Sequence, residues 1–295
     1  MENKYNKDVT ILSTFQIRPE KTMWKECIRS YYQTMVPPYP LHLIQDDSTP
    51  SYHEELCKVL DELGANYKFI KSEYPGAFGA VYSLIKEVKT KYFFFIIDDV
   101  IMVKDKDIIT PLVHFMEENK EVIQIKLGGG PISEGPSNKY WVIDKPGGNR
   151  TLNVPGNPVL HPTKTIGNNT IWTFSLIPEN TRGQYPLPWY NGFLRTSIFH
   201  KINDIIINLY KNDQNTARQR LRHHYHRWSH YIAYTQYYHV DTLPTLYKLG
   251  WPPKFEFLSN YKTGWLNMCN YIYCLHNRCE SPLHKFKITH TQELT

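Results

Sequence analysis

Two adjacent carboxylates interrupt the most apolar stretch of the chain. In YFFFIIDDVIMV, residues 92–103, apolar side chains run up to Asp98 and Asp99 and resume at Val100. An unbroken apolar run is the pattern of a strand buried on both faces of a parallel sheet. Carboxylates in such a run are costly unless paired, solvated at a strand end, or bound to a cation. Two readings are open on this stretch alone. The strand could end at Ile97 with both aspartates facing water in a turn, or the pair could be hard oxygen donors for a divalent cation. Two other apolar runs end in residues of similar promise: Ser13, Thr14 and Phe15 close the first, and Asp46, Asp47 and Ser48 follow LHLIQ.

The elements that must position these residues alternate regularly up to Leu127. VTILST (9–14) reads as a strand, and Pro19-Glu20 opens a helix through MWKECIRSYYQT that ends at Pro37-Pro38. LHLIQ (41–45) is a second strand. DDSTPSYHEELCKVLDELG then has Ser or Thr at a capping position, Pro near the helix start and Gly64 at its stop. YKFIKS (67–72) is a third strand. A helix with Val81, Leu84, Ile85 and Val88 on one face leads into the strand before Asp98. A helix around ITPLVHFMEENKEV and a strand IQIKL follow. This alternation implies a parallel sheet with helices on both sides and right-handed crossovers. The carboxyl ends of three strands then carry Ser13-Thr14-Phe15, Asp46-Asp47 and Asp98-Asp99 along one edge, where open sheets bind ligands.

After Leu127 the sequence becomes rich in Gly, Pro and Asn, too long for an ordinary connection and suited to loops over the functional edge. TIWTFSLIP (170–178) reads as a strand inside this region, and a long helical stretch lies beyond Asn203. The expected division is residues 1–127 as an α/β half and residues 128–295 as a loop-rich half with C-terminal helices. The bulk numbers fit one large or two small globular units: 295 residues, 41% apolar and 21% charged. No apolar run is long enough to span a membrane, and MENKYNKD has no apolar segment behind it, so a cytoplasmic location is expected. The net charge of +6 suits an anionic ligand and is too weak to indicate nucleic acid.

The ordered set VTILSTFQIRPE, LHLIQDDSTP, YPGAFGAVYSLIKEVKTKYFFFIIDDV and NGFLRTSIF resembles the successive motifs of family-2 glycosyltransferases. The resemblance covers the first third of the chain and, loosely, residues 189–199. It implies the GT-A fold, a Rossmann-like, mostly parallel open sheet with helices on both faces and an irregular acceptor-side second half. It implies a hexosyltransferase that moves a sugar, with inversion, from a nucleotide-diphosphate donor of the UDP type to a glycan or other hydroxyl acceptor, with Mn²⁺ or Mg²⁺ as cofactor. Carried over by position, Ser13, Thr14 and Phe15 line the base pocket, Asp47 accepts from the base imide with Asp46 beside it, and Arg18 approaches the phosphates. Asp99 binds the cation, Asp98 serves the ribose or the metal shell, and Asn191, Gly192 and Arg195 belong to the acceptor side with Trp189 beside them. The sequence departs from the pattern at the missing glycine after Asp46-Asp47, at Ile97 in the first acidic position, and in lacking a following acidic pair.

Inverting transfer needs a general base beside the acceptor hydroxyl, and Asp213, Asp241 and His226 are the candidates after Arg195. His239 is a candidate extra metal ligand. Arg218, Arg222 and His226 share one face of a basic stretch (217–231), for a diphosphate, an acidic acceptor or simply solvent. Cys269, Cys274 and Cys279, spaced C-x4-C-x4-C, lack the paired spacing of a common zinc site. The competing readings are a sugar nucleotidyltransferase and a non-catalytic nucleotide- or sugar-binding module of the same fold.

Overall fold

The structure is a computed structural model. It describes residues 6–19, 21–73, 76–96, 98, 100–102, 107–127, 139–145, 148–153, 161–166, 169–175, 192–212, 261–266, 271–275 and 278–280. The alternation expected up to Leu127 is present: β1 (Val9–Phe15), α1 (Trp24–Gln33), β2 (Leu41–Asp46), α2 (Pro50–Glu62), β3 (Tyr67–Phe69), α3 (Gly76–Glu87), β4 (Tyr92–Ile96), β5 (Val100–Met102), α4 (Ile109–Glu118) and β6 (Val122–Leu127). The later part supplies β7 (Lys139–Lys145), β8 (Gly148–Asn153), β9 (His161–Ile166), β10 (Asn169–Ser175), β11 (Gly192–Arg195), α5 (Thr196–Asn212), β12 (Lys262–Leu266), β13 (Tyr271–Leu275) and β14 (Arg278–Glu280).

The main sheet has the order β3-β2-β1-β4-β11-β6-β12-β10-β9. β1 pairs in parallel with β2 and β4, and β2 in parallel with β3. The chain therefore winds outward to β3 and returns to place β4 on the other flank of β1. The order reverses between β1 and β4, which opens a crevice above their carboxyl ends. β11 runs antiparallel between β4 and β6, β12 runs parallel beside β6, and β10 and β9 complete that side with antiparallel pairs. This is the α/β, Rossmann-like open sheet expected from the alternation. Strands from before and after Leu127 share it.

β4 is buried along its whole length, with Tyr92, Phe93, Phe94, Phe95 and Ile96 each 0% exposed. Its side chains alternate between two cores. Phe94 meets Tyr31 of α1 edge-on at 5.8 Å, and Phe93 points the other way to meet Phe199 of α5 at 5.5 Å. Helices thus cover both faces, which is why the sequence of β4 is apolar at every position. The strand expected before Asp98 is β4, and the apolar residues after Asp99 form a further strand, β5, that the alternation did not include. β4 leaves the main sheet at Ile96, and β5 pairs antiparallel with β13 in a separate sheet ordered β14-β13-β5. Ser30 Oγ accepts the Met102 amide at 2.8 Å and fixes β5 to α1.

Helix α1 starts later than Pro19-Glu20. Lys21 closes a turn onto the Arg18 carbonyl at 2.9 Å, and the helix begins at Trp24, the first residue of its buried stripe Trp24, Cys27, Ile28 and Tyr31. At the end of α2, Gly64 has φ +65° and donates to the Asp61 carbonyl, the left-handed stop for which glycine suits.

Three polar side chains are joined beneath the strands. His42 of β2 is fully buried, with Nε2 2.7 Å from Ser13 Oγ and Nδ1 2.9 Å from Tyr32 Oη. Burial lowers its pKa from 6.5 to about 3 and raises that of the Tyr32 phenol. The folded protein therefore holds His42 neutral, while the unfolded chain takes up a proton below pH 6.5. Its contribution is fully present above that value and is lost as pH falls toward about 3. Urea denaturation between pH 6 and 4.5 should show a stability slope steeper than that of His42→Asn by up to about 1.4 kcal/mol per pH unit. Equal slopes would mean that His42 is not held neutral.

Candidate functional site

The carboxyl ends of β1, β2 and β4 lie side by side, since Phe15 pairs with Asp46 and Ser13 with Ile96. The loops that follow β1 and β2 are stitched together. The Asp47 amide donates to the Phe15 carbonyl at 2.9 Å, and the Ile17 amide donates to Ser48 Oγ at 2.8 Å. Asp46 faces inward: Oδ1 accepts the Ser48 amide at 2.9 Å and Oδ2 lies 2.7 Å from His53 Nδ1. Asp47 faces solvent, its Oδ1 accepting from Gln45 Nε2 at 2.7 Å. The pleat accounts for this, because consecutive residues at a strand end take opposite sides.

Asp98 lies just past β4 and is 7% exposed. Its Oδ2 receives Lys21 Nζ at 2.7 Å, from the loop between β1 and α1. Burial drives the Asp98 pKa up. The Lys21 ammonium pulls it back, and the negative charge of Asp46 adds to the rise. Asp46 and Asp98 therefore share one electrostatic environment across the end of β1, beside the reversal in strand order.

As a cation site this edge has the right donor chemistry and an occupied donor. Asp98 offers hard carboxylate oxygens, and a Mg²⁺ or Mn²⁺ bound with a nucleotide takes one or two carboxylates, phosphate oxygens and water. Among the described residues no three His, Cys, Asp or Glu converge as a metal site. The expected ligands Asp99 and His239 lie outside the described residues, as do Trp189, Asn191 and the base candidates Asp213, Asp241 and His226.

The remaining expected residues fall into distinct places. Thr14 is half-buried at the end of β1, and Arg18 is exposed on the loop that carries Lys21. Ser13 and Phe15 point into the interior. Ser13 is bound to His42, and Phe15 is 1% exposed with its ring 6.4 Å from that of His42. They form the floor under the edge. Gly192 is buried opposite Phe95, close to the end of β4.

Arg195 is at the opposite edge of the sheet, paired with Tyr92 and about 10 Å down the strand from Gly192. Its Nη2 donates to the Met116 carbonyl at 2.8 Å and the Val122 carbonyl at 3.1 Å, and its guanidinium sits 5.3 Å over the Tyr92 ring. These are carbonyls at the end of α4 and the start of β6. Arg195 thus acts as a clamp on the end of α4. Lys21 and His53, the partners of Asp98 and Asp46, are residues that sequence reasoning passed over. Starting α1 from its apolar stripe at Trp24 would have left Lys21 in the loop, though nothing in the local sequence ties it to Asp98.

Cys274 and Cys279 stand opposite each other in the backbone register of β13 and β14, while Cys269 lies outside the described residues. No helix among the described residues is long and apolar enough to cross a membrane.

No family model matches the sequence, and no curated protein sequence is similar to it. Solved structures found similar include S. aureus TarS 1-349 in complex with UDP-GlcNAc, at 13% identity and TM-score 0.40, covering 67% of this chain and 48% of that one. The chain thus corresponds to about half of that TarS fragment. Another is the mannosyltransferase PcManGT from Pyrobaculum calidifontis in complex with GDP-Man and Mn²⁺, at 13% identity and TM-score 0.35, covering 43% and 36%. A third is the 4-diphosphocytidyl-2C-methyl-D-erythritol synthase of Anaerococcus prevotii, at 5% identity and TM-score 0.39, covering 69% and 76%. At these scores the fold class rests on the strand order and register of the chain itself.

Replacing Arg195 by Met should lower unfolding free energy by roughly 2–3 kcal/mol, since several buried carbonyls lose a charged donor. Ligand affinity measured below the melting temperature should be unchanged. Unchanged stability with lost affinity would return Arg195 to the ligand site.

Proposed function

We propose that the chain is a GT-A type glycosyltransferase that binds a UDP-linked sugar across the carboxyl ends of β1, β2 and β4 and transfers a hexosyl group to a hydroxyl acceptor with inversion. The observation that carries this reading is the buried carboxylate of Asp98 at the β1/β4 reversal, with Asp46 within electrostatic reach. A buried carboxylate at the mouth of a crevice is a poor stabiliser and a good ligand.

In this reading each residue has a task suited to its position. Asp47, exposed at the end of β2, accepts from the imide N–H of the base. Asp46 holds the loop through Ser48 and His53 and so fixes where Asp47 stands. Thr14 lies beside the base, and Arg18 is free on its loop to meet phosphate oxygens. Asp98 and Asp99 are the residues that would hold Mn²⁺ or Mg²⁺, which when bound stabilises the leaving diphosphate as a Lewis acid. Trp189, Asn191 and Gly192 border the acceptor. One of Asp213, Asp241 and His226 takes the proton of the acceptor hydroxyl as it attacks the anomeric carbon and the diphosphate departs.

A sugar nucleotidyltransferase is the second reading, and Lys21 favours it. A cation on the loop after β1 is placed to meet the phosphates of a nucleoside triphosphate. The products separate the two: a glycosyltransferase releases a nucleoside diphosphate, and a nucleotidyltransferase releases pyrophosphate.

Thermal melting with UDP, GDP, CDP and their sugars, with and without Mn²⁺, tests the proposal, because a ligand of the native state raises the melting temperature. UDP and its sugars should raise it, and more so with Mn²⁺. Asp47→Ala should weaken UDP binding about tenfold, or ~1.4 kcal/mol, while the ligand-free melting temperature stays as in wild type. No shift with any nucleotide would sink the proposal.

A further inference from the structure

The Lys21–Asp98 contact is more than a packing device, and its role in ligand binding rests on the nucleotide-sugar reading. The two charges are 2.7 Å apart, with side chains 24% and 8% exposed. Such a pair gains little over apolar residues of the same size, so stability alone gives no reason to keep it. Lys21 lies on the loop after β1, on the side where Arg18 is exposed and next to the opening above β1 and β4. Its ammonium also occupies Oδ2 of Asp98, part of the carboxylate that a divalent cation would bind.

We propose that Lys21 is a phosphate-binding residue held on Asp98 until the donor arrives. Asp98 then exchanges partners: the divalent cation takes its carboxylate, and the released ammonium pairs with a diphosphate oxygen. The exchange conserves charge pairing throughout, since each anion that loses one cation gains another. Because metal and Lys21 compete for one carboxylate charge, the metal alone binds weakly and the metal with a nucleoside diphosphate binds well. Lys21 is thus a substrate-positioning residue that couples the two ligands.

Two variants of the full chain test this, using Mn²⁺ alone by the paramagnetic resonance of the free ion and UDP by calorimetry. In Lys21→Met, Mn²⁺ should bind at least tenfold tighter without nucleotide, and UDP in saturating Mn²⁺ about tenfold weaker. In Asp98→Asn, which replaces the buried carboxylate by a neutral amide and frees the Lys21 ammonium, UDP should bind severalfold tighter than wild type in the absence of metal. Either Lys21→Met constant at its wild-type value would overturn the exchange, as would an unimproved metal-free UDP affinity in Asp98→Asn. The latter decides the matter if Lys21→Met does not fold. A wild-type protein that binds neither Mn²⁺ nor UDP would bring down the glycosyltransferase reading, and this proposal with it.

Discussion

A carboxylate buried at the end of the most apolar strand has to find a cation, and much of the site is built around that requirement. β4 packs aromatic and aliphatic side chains against helices on both faces, so Asp98 emerges from a region with no water to spare. Its compensation comes from Lys21, which is available only because α1 starts at Trp24 and leaves the preceding residues as loop. Removing one partner of such a pair typically costs about 3–5 kcal/mol. The loop itself is held to the one after β2, by the Asp47 amide on the Phe15 carbonyl and the Ile17 amide on Ser48 Oγ.

The sheet brings these loops together by its order. Winding from β1 to β3 and then back to β4 leaves the ends of β1 and β4 adjacent while their crossover connections diverge. Beneath the edge, Ser13, His42 and Tyr32 satisfy one another's polar atoms, so the floor needs no water. At the far edge Arg195 gathers the carbonyls that end α4 and holds β6 in register with β11. The site thus stands on elements fixed at both ends, with its variable chemistry on the loops.

What could be read in the sequence depended on how strongly pattern and structure were tied. The strands and helices up to Leu127 were legible because their apolar stripes match one period each. Gly64 was legible as a stop because few other residues take its conformation. β5 was not legible, since it is only three residues long and its partner β13 lies far along the chain, in a separate sheet. The hairpin of β7 and β8 lay in a stretch whose Gly, Pro and Asn content reads as loop. β11 sits in a motif whose resemblance suggested ligand contact, while its register sends Arg195 to the other edge. Asp46, Asp47 and Asp98 stood out because carboxylates after apolar runs are costly. Lys21 did not, because a lysine in a polar segment carries no local signal. Its meaning comes from a partner far along the chain.

A crystal structure with UDP and Mn²⁺ bound would probe the site without intermediaries. The nucleotide should lie across the ends of β1, β2 and β4, its base against Asp47, with Lys21 moved from Asp98 to a phosphate oxygen. A nucleotide ordered elsewhere on the protein, with the Lys21–Asp98 contact intact, would contradict this.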